Sequence, residues 1–175
     1  RWMKESPYYC AIPRKFRPQK FADVFCQGHI VRTLQHALVA NRVAHAYLFS
    51  GGRGSGKTTI ARILAKALCC DHLDANGEPC GSCSSCRDIT AGRSLDVIEI
   101  DGASNRGIDD VRALAETAQY SGGSSKHKVY IIDEVHMLTK EEFKAHLKLL
   151  EEPPEKVKNL LATTEPHKIL PTILS

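Results

Sequence analysis

Hydrophobic residues follow two patterns along this chain, and the two patterns distinguish strands from helices. Short, nearly continuous apolar runs predict four strands, at 46–50, 95–101, 129–133 and 160–164. Apolar residues spaced three or four apart predict helices, at 30–38, 60–68, 109–119 and 143–150. Strands that alternate with helices are typical of a parallel sheet, so the sequence predicts an α/β fold.

Turn and cap residues mark where some of these elements begin and end. Thr139 and Glu142 have the spacing of a capping box and predict the start of the last helix. Pro153 and Pro154 must stop that helix. Residues 122–125 are Gly-Gly-Ser-Ser, which predicts a flexible connection ahead of the third strand.

Length and composition indicate the number of domains and the expected cellular location. With 175 residues the chain has room for about one domain, and its 42% hydrophobic residues are ordinary for a globular protein. No apolar run approaches the ~20 residues of a membrane span, and no signal-peptide pattern opens the chain. We therefore expect a cytoplasmic protein with no membrane partner. Because residue 1 is arginine, we also expect the chain to be part of something larger.

The net charge of +4 is concentrated near the amino terminus. In the first twenty residues a single acidic residue, Glu5, stands against six basic ones: Arg1, Lys4, Arg14, Lys15, Arg17 and Lys20. A basic arm of this kind is compatible with nucleic acid, but its charge alone does not establish that partner.

The segment after the first strand fits the phosphate-loop pattern G-x-x-x-x-G-K-[ST] at every fixed position. A phosphate-binding loop needs a strand before it and a helix after it, because its backbone N–H groups and the N-terminus of that helix together form the anion site. We expect Lys57 to reach the β- and γ-phosphates of ATP and the Thr58 hydroxyl to bind Mg²⁺. The alternative, a chance glycine-rich turn, does not explain this context. The candidate nucleotide-binding residues are Gly51, Gly52, Arg53, Gly54, Ser55, Gly56, Lys57, Thr58 and Thr59.

Two carboxylates end the third predicted strand. The apolar run that precedes Asp133 and Glu134 indicates a strand buried on both faces of a parallel sheet. At the carboxyl end of such a strand, Asp133 is expected to hold the Mg²⁺ shell and Glu134 to activate the attacking water. A buried strand followed by an ordinary acidic helix cap is the alternative.

Five of the seven cysteines lie between positions 69 and 86. Cys70, Cys80, Cys83 and Cys86 combine two short chelate spacings with one remote cysteine, which predicts a structural Cys₄ zinc site. Free thiols, disulfides, a redox pair and an iron–sulfur cluster are the alternatives. Spacing alone leaves open whether Cys69 replaces Cys70.

These motifs together resemble the gamma/tau ATPase subunit family of the bacterial DNA polymerase III clamp loader, over roughly residues 11–175. The resemblance rests on the phosphate loop, the cysteine insertion and these segments: Arg14-Lys15-Phe16-Arg17-Pro18, Phe21-Ala22-Asp23-Val24, Asp133-Glu134-Val135-His136, Leu150-Glu151-Glu152-Pro153-Pro154 and Leu161-Ala162-Thr163-Thr164.

The resemblance implies an AAA+ type P-loop NTPase with sheet order 5-1-4-3-2, counted from the strand before the phosphate loop. It implies that Arg17 and Pro18 border the adenine and that Thr164 senses the γ-phosphate. It also divides the chain into an atypical arm, 1–10, and an AAA+ domain, 11–175, with a zinc insertion at 70–92.

The resemblance also implies partners and a cycle. ATP binding grips and opens a sliding clamp and recognises primer–template DNA within a hetero-oligomeric ring of clamp-loader subunits, and hydrolysis releases the closed clamp. The chain stops where the family continues with an arginine finger, so we expect the fifth strand to be missing and the isolated fragment to be weakly active.

The sequence departs from the family pattern at Cys26, Lys144, His146 and Asn159, whose effects the pattern does not predict. Two other functions stay open. A DExH helicase fragment would explain residues 133–136 and 161–164 but not the cysteines. A non-catalytic nucleotide-binding adaptor would use the zinc lobe as a contact surface.

A DNA contact is expected after the second strand. Asn105 and Arg106 precede the helix that begins near Asp109, and its free N–H groups would bind phosphates of the template strand. The alternative is a solvated loop in which Arg106 pairs with Asp109 or Asp110.

Overall fold

The computed structural model describes residues 2–3, 18–24, 28–52, 56–104, 127–144 and 157–168. Its strands are β1 (Trp2–Met3), β2 (Ala46–Ser50), β3 (Val97–Asp101), β4 (Lys128–Asp133) and β5 (Val157–Thr163). Its helices are α1 (Gly28–Val39), α2 (Lys57–Cys69) and α3 (Ser84–Thr90), with 3-10 turns at Phe21–Asp23 and Val135–Met137.

All pairs in the sheet are parallel, and the order is β1-β2-β5-β4-β3. For the four predicted strands this is the 1-4-3-2 order of an AAA+ type P-loop fold. The register aligns Ser50 with Thr163 and Asp101 with Asp133, so the strands end together. The loops that follow them therefore meet at one edge of the sheet.

The N-terminal arm makes a contact that the sequence did not predict. Trp2 and Met3 pair in parallel with Leu48 and Phe49 of β2. This edge is where the resemblance puts the fifth strand. The backbone N–H and C=O groups on this side of β2 can pair with another extended segment.

The ends of two strands differ from the apolar pattern. The second strand begins at Val97 rather than at 95, because the Ser94 hydroxyl accepts the N–H groups of Asp96 and Val97 at 3.1 and 3.2 Å. The fourth begins earlier, at Val157, and includes two buried polar residues, Lys158 and Asn159, which interrupted the pattern.

The core lies on both faces of the sheet. On one face, α1 and α2 pack against the strands through fully buried side chains such as Leu34, Ile60 and Leu64. A smaller cluster on Ile132, Leu161 and neighbouring residues fills the other face. Burying side chains of this size stabilises the fold by roughly 1.5–3 kcal/mol each.

Some predicted elements lie outside the described residues. The helix at 109–119 does, and so does most of the helix at 143–150. The start of the latter is described: the Thr139 hydroxyl accepts the N–H of Glu142 at 3.1 Å, as expected for one half of the capping box. Within the described ranges, no helix is long and apolar enough to cross a membrane.

Candidate nucleotide and metal sites

The phosphate loop joins β2 to α2 at the edge where the strands end. The N–H of Gly51 donates to the Thr163 carbonyl at 3.3 Å, which ties the loop to β5. Gly56 has φ +85°, a left-handed conformation that favours glycine. Lys57 is buried, and its Nζ donates to the Gly52 carbonyl at 3.0 Å. The cation is therefore held over the loop, at the N-terminus of α2.

Asp133 ends β4, and Glu134 follows it on the same edge. Asp133 Oδ1 accepts the N–H of Glu134 at 3.0 Å. Glu134 has φ +48°, which is uncommon for a residue with a side chain, so the chain turns sharply after the strand. Gly102, which follows β3, packs against the Glu134 carbonyl so closely that a Cβ there would collide with it.

A polar cluster surrounds the Glu134 carboxylate. Thr164 Oγ1 donates to Glu134 Oε2 at 3.3 Å, so the predicted sensor and the predicted base are in contact. His136 Nε2 lies 3.4 Å from the same oxygen, and His136 Nδ1 lies 2.8 Å from Thr163 Oγ1. The Thr163 hydroxyl also accepts the N–H of Glu165 at 2.9 Å.

The contacts of His136 indicate which of its ring nitrogens faces Glu134 as a donor. If the Thr163 hydroxyl donates to Nδ1, then Nε2 carries the proton and points at Glu134. With the other tautomer, a bare Nε2 would face a carboxylate. His136 is therefore a donor to Glu134, and its side chain is only 7% exposed.

Four of the clustered cysteines converge in space. The sulfurs of Cys70, Cys80, Cys83 and Cys86 all lie within 4.8 Å of one another. Cys70 directly follows α2, and Cys83 caps the N-terminus of α3. Cys69, by contrast, is buried in the core, with its sulfur 3.7 Å from the His127 carbonyl. The converging group is thus the set that the spacing selected, with Cys70 rather than Cys69.

Backbone N–H groups point at these sulfurs. Cys70 Sγ accepts from His72 and Cys80, and Cys80 Sγ accepts from Ser82 and Cys83, at 3.2 to 3.4 Å. Such donors favour thiolates. Burial alone would raise the pKa of Cys80, but the N–H groups of Cys83 and Ser82 lower it to about 6.

Burial raises the pKa of both Cys70 and Cys86, and contacts between their sulfurs add to the increase at Cys86. Four sulfurs this close together cannot all ionise unless a cation compensates their charge. The donor set therefore fits a soft divalent metal, which would bind all four as thiolates. We call residues 70–92 the metal lobe.

Several predicted site residues lie outside the described part of the chain. These are Arg17, Arg53, Gly54, Ser55, Asn105 and Arg106. Pro18, Thr58 and Thr59 are described: Pro18 is buried, and the two threonines are partly exposed at the start of α2. Of the sequence departures, Cys26 and His146 are also outside, Lys144 is exposed, and Asn159 is buried in β5.

Four features near the two sites were not predicted from the sequence: the role of His136, the short helix α3, and the contacts of Lys66 and Glu78 around the metal lobe. His136 was visible as part of the Asp-Glu-Val-His motif, but the motif alone did not say what it contacts. Nothing local in the sequence marks Glu78, because its partners lie 56 and 57 residues away.

Comparison with known families gives a match over most of the chain. A family model described as DNA polymerase III, delta subunit, matches residues 26–175. The chain is 54% identical over 167 residues to DNA polymerase III subunit tau of Bacillus subtilis (strain 168) and 53% identical to that of Escherichia coli (strain K12). Each alignment covers 95% of this chain, which spans 30% and 26% of those two proteins.

Solved structures show the same fold. The chain resembles a DNA polymerase III gamma subunit-related protein from Thermotoga maritima, with a TM-score of 0.51 and 24% identity, over 81% of this chain and 42% of that one. It also resembles the RuvB Holliday junction branch migration motor of Thermotoga maritima, with a TM-score of 0.54 and 20% identity. That second match covers 85% of this chain and 41% of the motor. Both matches show that the chain shares the parallel-sheet α/β fold of these proteins.

Proposed function

The chain belongs to the DNA polymerase III subunit family described by that model, and on this premise we propose that it is the ATP-driven motor domain of a clamp-loader subunit. In this role, the domain at 11–175 binds and hydrolyses ATP inside a ring of related subunits. The energy is used to place a sliding clamp on primer–template DNA during replication. The location that fits this work is the bacterial cytoplasm.

One observation carries the proposal. Three adjacent strands of one parallel sheet end beside the groups that ATP hydrolysis needs. The phosphate loop with its buried Lys57 follows β2, Asp133 ends β4 with Glu134 directly after it, and Thr164 directly follows β5. A cation for phosphates, a carboxylate for a metal shell and a carboxylate for water are the parts that phosphoryl transfer requires.

The chemistry proposed for this edge is hydrolysis of the terminal phosphoanhydride. A water attacks the γ-phosphorus, its proton passes to Glu134, and the bond from that phosphorus to the bridging oxygen breaks to give ADP and phosphate. Lys57 and the loop N–H groups bind the phosphates. Thr58 and Asp133 would hold Mg²⁺, which neutralises charge on the phosphate oxygens. Thr164 contacts the γ-phosphate and, through its hydrogen bond to Glu134, couples the presence of that phosphate to the position of the carboxylate.

The remaining site assignments are proposed on the same basis. Arg17 and Pro18 border the adenine. Asn105 and Arg106 bind DNA phosphates from the loop after β3. Zn²⁺ in the metal lobe would be structural, because four thiolates leave no open position for chemistry.

We expect the metal lobe to hold one Zn²⁺ per chain. Cys80→Ser should remove one ligand, release the metal and loosen residues 70–92, while the phosphate loop stays formed because the lobe is inserted between α2 and β3. Elemental analysis of anaerobically purified protein measures the metal, and limited proteolysis locates the loosening. Cys69→Ser is the matched control, since its sulfur faces the core. Metal-free wild-type protein, or metal loss in the control, would contradict the assignment.

His136 is proposed as a positioning residue for Glu134. His136→Ala should lower ATP turnover in the assembled protein about tenfold through a less well-oriented carboxylate, with ATP affinity little changed. His136→Gln should recover part of the loss, because its amide N–H can replace Nε2. The exposed His167→Ala is the control. Equal losses in affinity and turnover, or no rescue by glutamine, would argue against positioning.

A further inference from the structure

The metal lobe is attached to the segment that precedes α1 through the carboxylate of Glu78. Glu78 Oε1 accepts the N–H of Phe21 at 2.7 Å, and Oε2 accepts the N–H of Ala22 at 3.0 Å. These two groups open the 3-10 turn Phe21–Asp23, where N–H groups have no partner inside the turn. Lys20, which precedes the turn, provides no side-chain cap. The lobe therefore caps a turn far away in sequence.

A second contact attaches the same segment to α2, just before the metal lobe begins. Lys66, on the last turns of α2, is 3% exposed. Its Nζ donates to Oε1 of Gln19 at 2.7 Å and to the Gln19 carbonyl at 3.3 Å. Since α2 ends at Cys69 and Cys70 follows it, the contact lies one turn before the first metal-lobe sulfur.

The position of Glu78 depends on the turn that carries the sulfurs. Asp74 Oδ1 accepts the N–H groups of Asn76 and Glu78 at 2.8 and 2.9 Å. Two residues after Glu78, the N–H of Cys80 donates to the Cys70 sulfur at 3.3 Å. Gathering the sulfurs around a metal therefore fixes both ends of the short segment that presents the carboxylate.

The segment held by Glu78 borders a cleft that extends along α2 to its nucleotide end. Pro18 is buried, and with Gln19 it lines a cleft of about 480 Å³ together with Thr59, Ile63 and Lys66 of α2. Thr59 directly follows Thr58 of the phosphate loop. The 18–24 segment thus contacts the metal lobe and lines a cleft that also includes a residue next to the phosphate loop.

We propose that the metal lobe positions the base-binding side of the nucleotide site, and that Glu78 is the residue through which it does so. The inference rests on the proposed function, in which Pro18 borders the adenine. Zinc binding at the four cysteines orders the Glu78 turn, the carboxylate holds the amides of Phe21 and Ala22, and Pro18 is kept in place for the base. The phosphate contacts at Lys57 do not depend on this link.

Two amide donors on one carboxylate make the link testable with single variants. Glu78→Ala removes both acceptors, and Glu78→Gln keeps one. Asp88→Ala is the matched control, because Asp88 is an acidic residue of the same lobe that does not contact the 18–24 segment through its ion pair. Its Oδ1 lies 3.8 Å from Nη2 of Arg93, the residue that directly follows the lobe. Each protein is measured with its zinc, after removal of zinc by chelation and desalting, and after zinc is added back. ATP with Mg²⁺ is the ligand in every titration.

We expect Glu78→Ala to keep its zinc, to lose hydrogen-exchange protection at Phe21 and Ala22, and to bind ATP about fivefold more weakly, because the competent position of the segment is less populated. Removing zinc from the wild type should produce the same loss of protection and affinity, reversed by zinc. Removing zinc from Glu78→Ala should have little further effect, because the link is already broken. The exchange protection and ATP affinity of Glu78→Gln should lie between those of the wild type and Glu78→Ala, and Asp88→Ala should match the wild type.

If the hydrogen-exchange protection of Phe21 and Ala22 in the wild type survives zinc removal, the inference is overturned. It is also overturned if zinc removal weakens ATP binding equally in the wild type and in Glu78→Ala. Failure of the wild type to bind ATP would instead overturn the proposed function, and with it the role of Glu78 in nucleotide binding. The exchange measurement at Phe21 and Ala22 separates these two failures.

Discussion

We expect Lys57→Ala to abolish measurable ATP binding. The ammonium is held over the phosphate loop by the Gly52 carbonyl at 3.0 Å, and it is buried at the start of α2. Hydrogen bonds to charged groups contribute about 1.5–3 kcal/mol each, so losing contacts to both terminal phosphates should weaken binding at least ~100-fold. Titration of the zinc-bound protein with ATP and Mg²⁺ measures the change.

Lys140→Ala is the control for this variant, because Lys140 is exposed and lies beyond the loops that form the site. Both proteins should show the thermal unfolding of a folded domain, which excludes loss of binding through loss of structure. An affinity for ATP within about threefold of wild type in Lys57→Ala would remove Lys57 from the site.

We expect Glu134→Gln to bind ATP normally and to hydrolyse it about 10²–10⁴-fold more slowly, the range that a positioned general base contributes. The amide keeps the size of the side chain and its contact with Thr164, but it cannot accept the proton of the attacking water. Single-turnover hydrolysis in the assembled protein separates this chemical step from binding.

Glu141→Gln, at an exposed position a few residues further on, should hydrolyse ATP at the wild-type rate. Comparable hydrolysis by Glu134→Gln would mean that another group accepts the proton. A parallel loss of ATP affinity in Glu134→Gln would mean that the carboxylate acts mainly in binding.

The parts of the fold that the sequence predicted well are those with strong local signals. The strand at Ala46–Ser50 was predicted with its observed bounds, because its buried apolar run ends at a glycine loop. The order of the four predicted strands, which the family resemblance implied, is also confirmed. The apolar pattern did not predict the start of β5, because Lys158 and Asn159 are polar. Both are nevertheless buried, since the strand lies inside the sheet.

The contacts that were missed are long-range. Trp2 and Met3 pair with one side of β2, and no hydrophobic pattern in the N-terminal arm predicts this pairing. Glu78 looks like one more surface carboxylate until the fold brings Phe21 and Ala22 beside it. The four cysteines were predictable because metal chelation imposes short spacings in sequence, whereas a carboxylate that caps a distant turn imposes none.

ATP hydrolysis by the full-length protein with its partner subunits, measured with and without primed DNA and the sliding clamp, tests the proposed function most directly. We expect hydrolysis to rise when clamp and primed DNA are added together, with no unwinding of the duplex. ATP binding without hydrolysis would instead indicate an adaptor. Hydrolysis that is stimulated by single-stranded DNA alone and coupled to strand separation would indicate a helicase, and either of these results would contradict the proposal.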